Sequence, residues 1–478
     1  MTTPTAAILG IDLGTTEAKV GLVGLDGRLL AMARAGYALD VGPDGRAEQD
    51  PASWWSAIAV AVRALRPPEA VEVVGVGVDG HGPTLVAVDE DGGAIRPAIT
   101  FLDTRSSAEA DELAAATGIR GWALGPLPAA LWLERHEPEA ASLARWYLTS
   151  WEWLAFRLTG VAAAPTVDGQ TPPDPDLVAR ATGLRGARPP VTDLGAVVGM
   201  LTPSAAEAFG VRPGIPVAGG TNDAFASYLG AGLTEPGDAY DPGGSAGGFG
   251  VYWHGPVDVP GAFVTPAPLP GLFSVGAAMA ATGRALDWFR DAVAGGSATT
   301  EALLEEAATV PAGADGVVFL PYLAGERSPI WDPDATGAFV GLTLAHGRGH
   351  LVRAILEASA LAIRHVAEPM LDAGVHVSAM RACGGPARSE TWNQIKADVT
   401  GFPVLVPAVL ETAVLGSAML GAVAIGACPD LLTAVRTMSR IERRLEPRAE
   451  VRPTYDRAFE VYRGLYPALR PVLSGSTR

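Results

Sequence analysis

Asp12 lies inside the apolar run Ala7-Ile8-Leu9-Gly10-Ile11-Asp12-Leu13, where a carboxylate without a partner is costly to bury. At a strand end it can bond its own turn, or it can hold Mg²⁺ beside phosphate groups, a hard ion that keeps several waters. The next turn, Gly14-Thr15-Thr16, offers hydroxyls and backbone N–H donors, the equipment that binds phosphate where small residues allow close approach. Lys19 could add positive charge there, or snorkel to the surface. A second turn of the same kind follows at Gly243-Gly244-Ser245-Ala246-Gly247-Gly248. Either turn can also be an ordinary loop, and the chain has no G-x-x-x-x-G-K-[ST] phosphate loop. Asp223 comes after an apolar strand and a Gly-Gly turn, a position suited to a base for a hydroxyl, although Asn222-Asp223 is also a helix N-cap signal. His81, after Asp79, could hydrogen-bond polar ligand groups. Asp103 and Arg105 could do the same or form an ion pair. Trp54, Trp55, Trp151 and Trp153 read as core residues or an aromatic wall.

These residues need elements to place them. Short apolar runs between Ala7 and Leu30, broken at Gly-Thr-Thr and Asp-Gly, predict a β-hairpin and a further strand. Trp54, Trp55, Ile58 and Val62 predict a helix over Pro51 to Leu65, and Val71 to Val78 a buried strand ending at Asp79. Val161 to Pro190 has no sustained period and reads as loop. Helical periodicity returns over Gly349 to Leu371 and Ser389 to Thr400, and Glu411 to Ile425 reads as a small, apolar, buried helix. Alternating strands and helices predict an α/β layer architecture. The glycine turn in each half is a weak internal duplication, which suggests two similar domains with a cleft between them.

The chain has 478 residues, 48% of them hydrophobic, and its 35 basic against 52 acidic residues give a net charge of −17. That balance argues against a nucleic-acid partner. Two cysteines without C-x-x-C spacing argue against a disulfide scaffold or zinc site. With no signal-like start and no long uncharged apolar run, a cytoplasmic protein without a membrane span is expected. Lysine occurs only at Lys19 and Lys396.

Taken in order, these segments resemble the FGGY family of carbohydrate kinases, in particular its xylulokinase-like members. Gly337-Ala338-Phe339-Val340-Gly341-Leu342 with His350-Leu351-Val352-Arg353-Ala354-Ile355-Leu356-Glu357 satisfies the second signature of that family throughout. The resemblance implies two actin-like, ribonuclease-H-like α/β domains, residues 1–213 on the sugar side and 214–478 on the nucleotide side, with ATP and sugar in the cleft. It implies Asp223 as catalytic base and Asp12 at Mg²⁺. Thr15, Thr16, Lys19, Gly244, Ser245, Gly283, Asp287, Gly384, Gly385 and Ser389 fall on the nucleotide, and Asp79, His81, Asp103, Asn222 and Asp223 on the sugar. The implied reaction is ATP-dependent phosphorylation of a hydroxyl on a small sugar, a ketopentose such as xylulose first, with another sugar, polyol or aldonate as alternative. A homodimer is expected. Rival readings are a sugar-responsive binding protein with weak or no transfer, and an actin-like filament. The chain departs from the family at Ala129, where a lysine is usual, at Asp79-Gly80-His81-Gly82 in place of Gln-Met-His-Gly, and at Gly244-Ser245-Ala246 in place of Gly-Thr-Ser. It also lacks the usual Thr-Asp-x-Ser-x-Ala-Ser segment near position 165.

Overall fold

The nearly continuous apolar run around Asp12 becomes the strand Thr5–Leu13, buried on both faces from Ala7 onward and central in a seven-stranded sheet in the computed structural model. The structure describes residues 4–67, 70–167, 173–244, 246–296 and 298–473. The chain forms two compact units: Met1–Thr234 with Pro266–Gly271 and Glu411–Arg440, and Glu235–Thr265 with Leu272–Leu410 and Ile441–Arg478.

In the first unit, Thr5–Leu13, Glu17–Gly24 and Leu29–Gly36 form an antiparallel meander. Val71–Gly80 then pairs parallel with Thr5–Leu13, and Pro216–Ala218 parallel with Val71–Gly80. The second unit repeats the plan: Asp238–Asp241, Gly248–Trp253 and Phe273–Ala278 are antiparallel, and Ala379–Ala382 and Val404–Pro407 extend Asp238–Asp241 in parallel. Each sheet adds an antiparallel strand beyond its parallel ones, Val197–Met200 in the first and Ile441–Leu445 in the second. Parallel strands need crossover connections and covered faces, which the helices supply.

The first core gathers Leu9, Ile11, Val20, Trp54, Ile58, Val76, Val78, Trp153 and Leu154. Helix Pro51–Ala64 begins where Asp50 accepts from Ala52 N, with Pro51 at the first turn, where its missing N–H costs nothing. The second core is built on helix Arg348–Asp372, which buries Val352, Ile355, Leu356, Ile363 and Val366 with Phe249, Val251 and Trp392.

The units depart from a boundary between residues 213 and 214. Helices Asp223–Ala231 and Thr412–Ala424 both pack in the first unit, the latter on Thr5–Leu13 and Val71–Gly80. Small residues make this possible: a Cβ at Gly416 would collide with the Ala226 carbonyl, and one at Gly77 with the Ser417 carbonyl.

The stretch 161–190, expected as loop, carries regular structure. It contains the strand Ala164–Thr166 and the helix Pro175–Thr182. Asp174 accepts from Asp176 N, Pro175 opens the helix and Gly183 closes it with left-handed backbone. Val178 and Leu184 are buried with Leu113, Leu131 and Tyr147. Too few apolar residues stand in this helix for a visible period, yet both caps were in the sequence.

Candidate active site

Strand pairing brings the carboxylates of the first unit together. Asp12 stands opposite Lys19 in the antiparallel pair and opposite Asp79 in the parallel one. Thr221 pairs with Asp79 and Asn222 with Gly80, which delivers the start of helix Asp223–Ala231 to the same edge. Asp12 is 4% exposed and Asp79 not at all.

Lys19 points inward, its Nζ 3.4 Å from Asp12 Oδ2 and 3.5 Å from Glu411 Oε2. Burial opposes its ammonium, but Asp12, Glu411 and Glu17 outweigh that and hold the amine above its ordinary range. Ser417 Oγ donates to Asp79 Oδ2 at 2.5 Å, while Asp79 Oδ1 is buried with no hydrogen-bond partner. Desolvation first, then the Asp12 charge, raises the Asp79 carboxyl well above the usual range. The same causes in the same order push half-buried Asp223 up to about 7. A carboxylate tuned to that range can take a proton at neutral pH.

His81 is fully buried at the end of the Asp79 strand. Its Nδ1 meets Thr84 Oγ1 at 2.9 Å, the Trp54 ring stands edge-on at 5.2 Å, and its Nε2 has no partner. Burial pushes its imidazole down to about 4, so at neutral pH the ring is uncharged. Asn222 Oδ1 accepts from Phe225 N at 2.8 Å as the helix cap, and Asp223 Oδ1 accepts from Ala224 N at 2.8 Å. Trp54 and Trp153 are core residues with ring centres 5.6 Å apart.

The Gly14-Thr15-Thr16 turn is pinned from its carbonyl side. Gln49 Nε2 donates to Thr15 O at 2.8 Å, the Tyr37 hydroxyl to Gly14 O, and Tyr37 N to Thr16 O at 3.1 Å. None of these bonds uses the Thr15 or Thr16 hydroxyl.

Asp103 is engaged elsewhere. Its side chain is fully buried against Arg105, with Oδ2 accepting from Ala47 N at 2.9 Å and Oδ1 from Arg105 N at 3.0 Å. Arg105 also bonds Glu48 and lies 4.3 Å from the Trp132 ring centre. The ion-pair alternative describes this residue, because a carboxylate so occupied has little left to offer a ligand.

The second unit holds a pocket lined in part by Gly243, Gly244, Thr282, Gly283, Trp392 and Lys396. Left-handed backbone at Gly243 and Gly384 lets two turns pack closely, since a Cβ at Gly243 would strike the Cys383 carbonyl. Gly385 follows in an exposed position. Ser389 caps helix Glu390–Thr400, its Oγ accepting from Trp392 N at 3.2 Å. Asp287 is separate from the pocket lining: its side chain is 58% exposed and pairs with Arg290 at 3.1 Å. Ser245 lies outside the described residues.

A sheet plan used twice, a carboxylate cluster and a glycine-walled pocket agree with comparison to known proteins. Models for the N-terminal and C-terminal domains of the FGGY family of carbohydrate kinases match residues 7–168 and 253–425. Xylulose kinase of Escherichia coli is 31% identical over 82% of this chain and 84% of its own. The chain belongs to the FGGY family of carbohydrate kinases. The crystal structure of xylulose kinase from Rhodospirillum rubrum, 33% identical, covers 98% of this chain and 100% of its own with a TM-score of 0.80. Gluconokinase of Bacillus subtilis is 27% identical over 85% of each chain.

Membership establishes the fold as two actin-like, ribonuclease-H-like domains, and the activity as ATP-dependent phosphorylation of a small sugar. Among the described residues no helix is long and apolar enough to cross a membrane. Sequence reasoning missed several residues of this FGGY kinase: in the first unit Ser417 on Asp79, Glu411 on Lys19, and Gln49 and Tyr37 behind the Thr15 turn, and in the second Lys396 in the pocket. Only the scarcity of lysine pointed toward the last.

Proposed function

We propose that this FGGY kinase phosphorylates a hydroxyl of a ketopentose such as xylulose, with Asp223 as the base and Mg²⁺ as the metal. The observation that carries the assignment is Asp223, pushed up to about 7 in the same cluster as Asp79 Oδ1, while His81 Nε2 likewise stands buried without a partner. A sugar with several hydroxyls answers both orphaned atoms, donating to one and bonding the other. A neutral acceptor is favoured over an aldonate, because a further carboxylate would face Asp12, Asp79 and Asp223.

The residues suit the donor and the metal. The pocket walls at Gly243, Gly244 and Gly283 leave the backbone approachable, as phosphate binding needs. Among the described residues no three carboxylates, histidines or cysteines form a metal cage, which fits an ion held by one or two carboxylates and substrate phosphates. Asp12 would hold it, steadied by Lys19, and Thr15 and Thr16 would turn their hydroxyls to phosphate. When bound, ATP supplies the transferable phosphoryl group and Mg²⁺ neutralises its developing charge. Asp223 orients the acceptor hydroxyl and takes its proton, His81 and Asp79 fix the sugar, and the Gly244 and Gly384-Gly385 turns hold the nucleotide in register. Rate then comes from positioning and electrostatics. The first unit takes the acceptor and the second the nucleotide.

Two buried cysteines, Cys383 and Cys428, accord with a reducing cytoplasm, and a homodimer completes the reading. The test is ADP release from a panel of xylulose, ribulose, xylitol, glycerol and gluconate. Xylulose should lead, EDTA should abolish turnover, and Asp223→Ala should lower it by about 10²-fold or more. Wild-type turnover in Asp223→Ala would sink the base assignment, and gluconate leading the panel would sink the ketopentose.

A further inference from the structure

Lys396 is the second of only two lysines in the chain. It sits on helix Glu390–Thr400, is 2% exposed, and lines the pocket with Gly243, Gly244, Thr282 and Trp392. Of its three ammonium donors, one goes to Asp241 Oδ2, and the Trp392 ring lies 5.5 Å away. No other polar atom of the described residues bonds it. Asp241 is itself 3% exposed, and its other oxygen accepts from Gly243 N at 3.0 Å. One carboxylate therefore ties the ammonium to the glycine turn.

As a stabilising device this arrangement is poor. A buried ion pair is often matched or bettered by apolar residues of similar volume, and an ammonium with most of its donors unused has not recovered the cost of leaving water. As a binding device it is apt. A lysine held by an acidic partner and offered to nucleotide phosphates is a recurring solution in phosphoryl transfer, because the acid fixes the cation before the ligand arrives. Lysine then serves as a compact point charge with rotatable donors.

We propose that Lys396 is a phosphate-positioning residue of the nucleotide pocket, held beside the Gly243-Gly244 turn by Asp241. The ligand class is a nucleoside di- or triphosphate, and the inference rests on the second unit being the nucleotide side. In the bound state the ammonium keeps Asp241 and donates to phosphate oxygens, so that an acidic protein presents a local cation where the anion must sit.

The experiment is calorimetric binding of ADP and of adenosine, without sugar, to wild type, Lys396→Met and the double variant Asp241→Asn with Lys396→Met. The double variant leaves no uncompensated buried charge, so it keeps the test open if the single one fails to fold. ADP should bind at least tenfold more weakly to both variants, while adenosine stays within twofold. Equal weakening of ADP and adenosine would mean that the pair merely shapes the pocket, and unchanged ADP binding would mean that it touches nothing; either overturns the proposal. Gly244→Leu separates the underlying reading. Gly244 has ordinary backbone angles and nothing within 4 Å of an added Cβ, so the protein should fold with that wall enlarged. If ADP binds Gly244→Leu as it binds wild type, the pocket is not the nucleotide site, and both readings fall.

Discussion

Asp223 and Asp79 differ in their covering and therefore in what they can do. Asp79 is fully buried, with Oδ2 taken by Ser417 and Oδ1 left without a donor, whereas Asp223 keeps a partly exposed surface and a carboxyl pushed up to about 7. Desolvation and the Asp12 charge hold the proton on Asp223, while the Ala224 amide and Lys19 work against them. The base must be ionised, so kcat/KM should fall as pH drops through about 7 and level off above it. A rate profile from pH 5.5 to 8.5 measures this, and a flat profile across 7 would mean that another group takes the proton. Asp12 and Asp223 were legible as candidates because acids beside apolar strands and glycine turns are costly without a purpose. Ser417 and Glu411 were not, since a serine in a small apolar helix and a glutamate before it carry no local sign of the partners they meet across the sheet.

At the scale of elements, close packing of Thr412–Ala424 positions the cluster, because the helix that supplies Ser417 rests on the strands that supply Asp12 and Asp79. Gly416 lies against the Ala226 carbonyl, backbone on backbone, with no side chain free to yield. Gly416→Ala should cost about 3 kcal/mol or more in urea unfolding; a loss below 1 kcal/mol would show that the helices can part at little cost. Glu326 gives a second handle. It is 4% exposed, accepts from Ala280 N and Arg327 N at 2.9 and 2.7 Å, and is raised by burial to about 7. Its folded form holds the proton to higher pH than the unfolded chain does, so the stability it lends is complete below about 4.5 and is lost as pH rises towards about 7. Glu326→Gln keeps the accepting oxygen and should flatten that loss, about 3 kcal/mol at most, in denaturation curves from pH 4.5 to 7.5. The helix Pro175–Thr182 shows why periodicity can fail: a short segment that buries Val178 needs caps more than a pattern.

For the whole molecule, a net charge of −17 repels a free nucleotide at long range, while the glycine-turn amides and the two lysines proposed to meet it would act only on contact. Screening should therefore speed capture: the association rate of ADP should rise about two- to threefold between 10 and 150 mM salt. Stopped-flow tryptophan fluorescence reads it, and a rate that falls with salt would locate a positive field that the composition hides. The duplicated sheet plan accounts for the weak repeat of glycine turns along the chain, since each turn closes the first antiparallel pair of its own sheet. It also explains why a single boundary at 213 could not describe the units: residues 411–440 return to the first sheet after the second has been built.

What the sequence determined by itself was local. Apolar runs broken by glycine make hairpins, helical spacing makes helices, and acids or hydroxyls beside glycine turns mark where polar chemistry is wanted, because these preferences act between near neighbours in the chain. The tertiary structure alone decided which of those groups meet. Parallel pairing set Asp12 beside Asp79, the returning segment placed Ser417 on Asp79 and Glu411 on Lys19, Asp103 closed on Arg105, and Lys396 came under the Asp241 carboxylate. Desolvation and charge depend on distances through space, and no spacing along the chain encodes them.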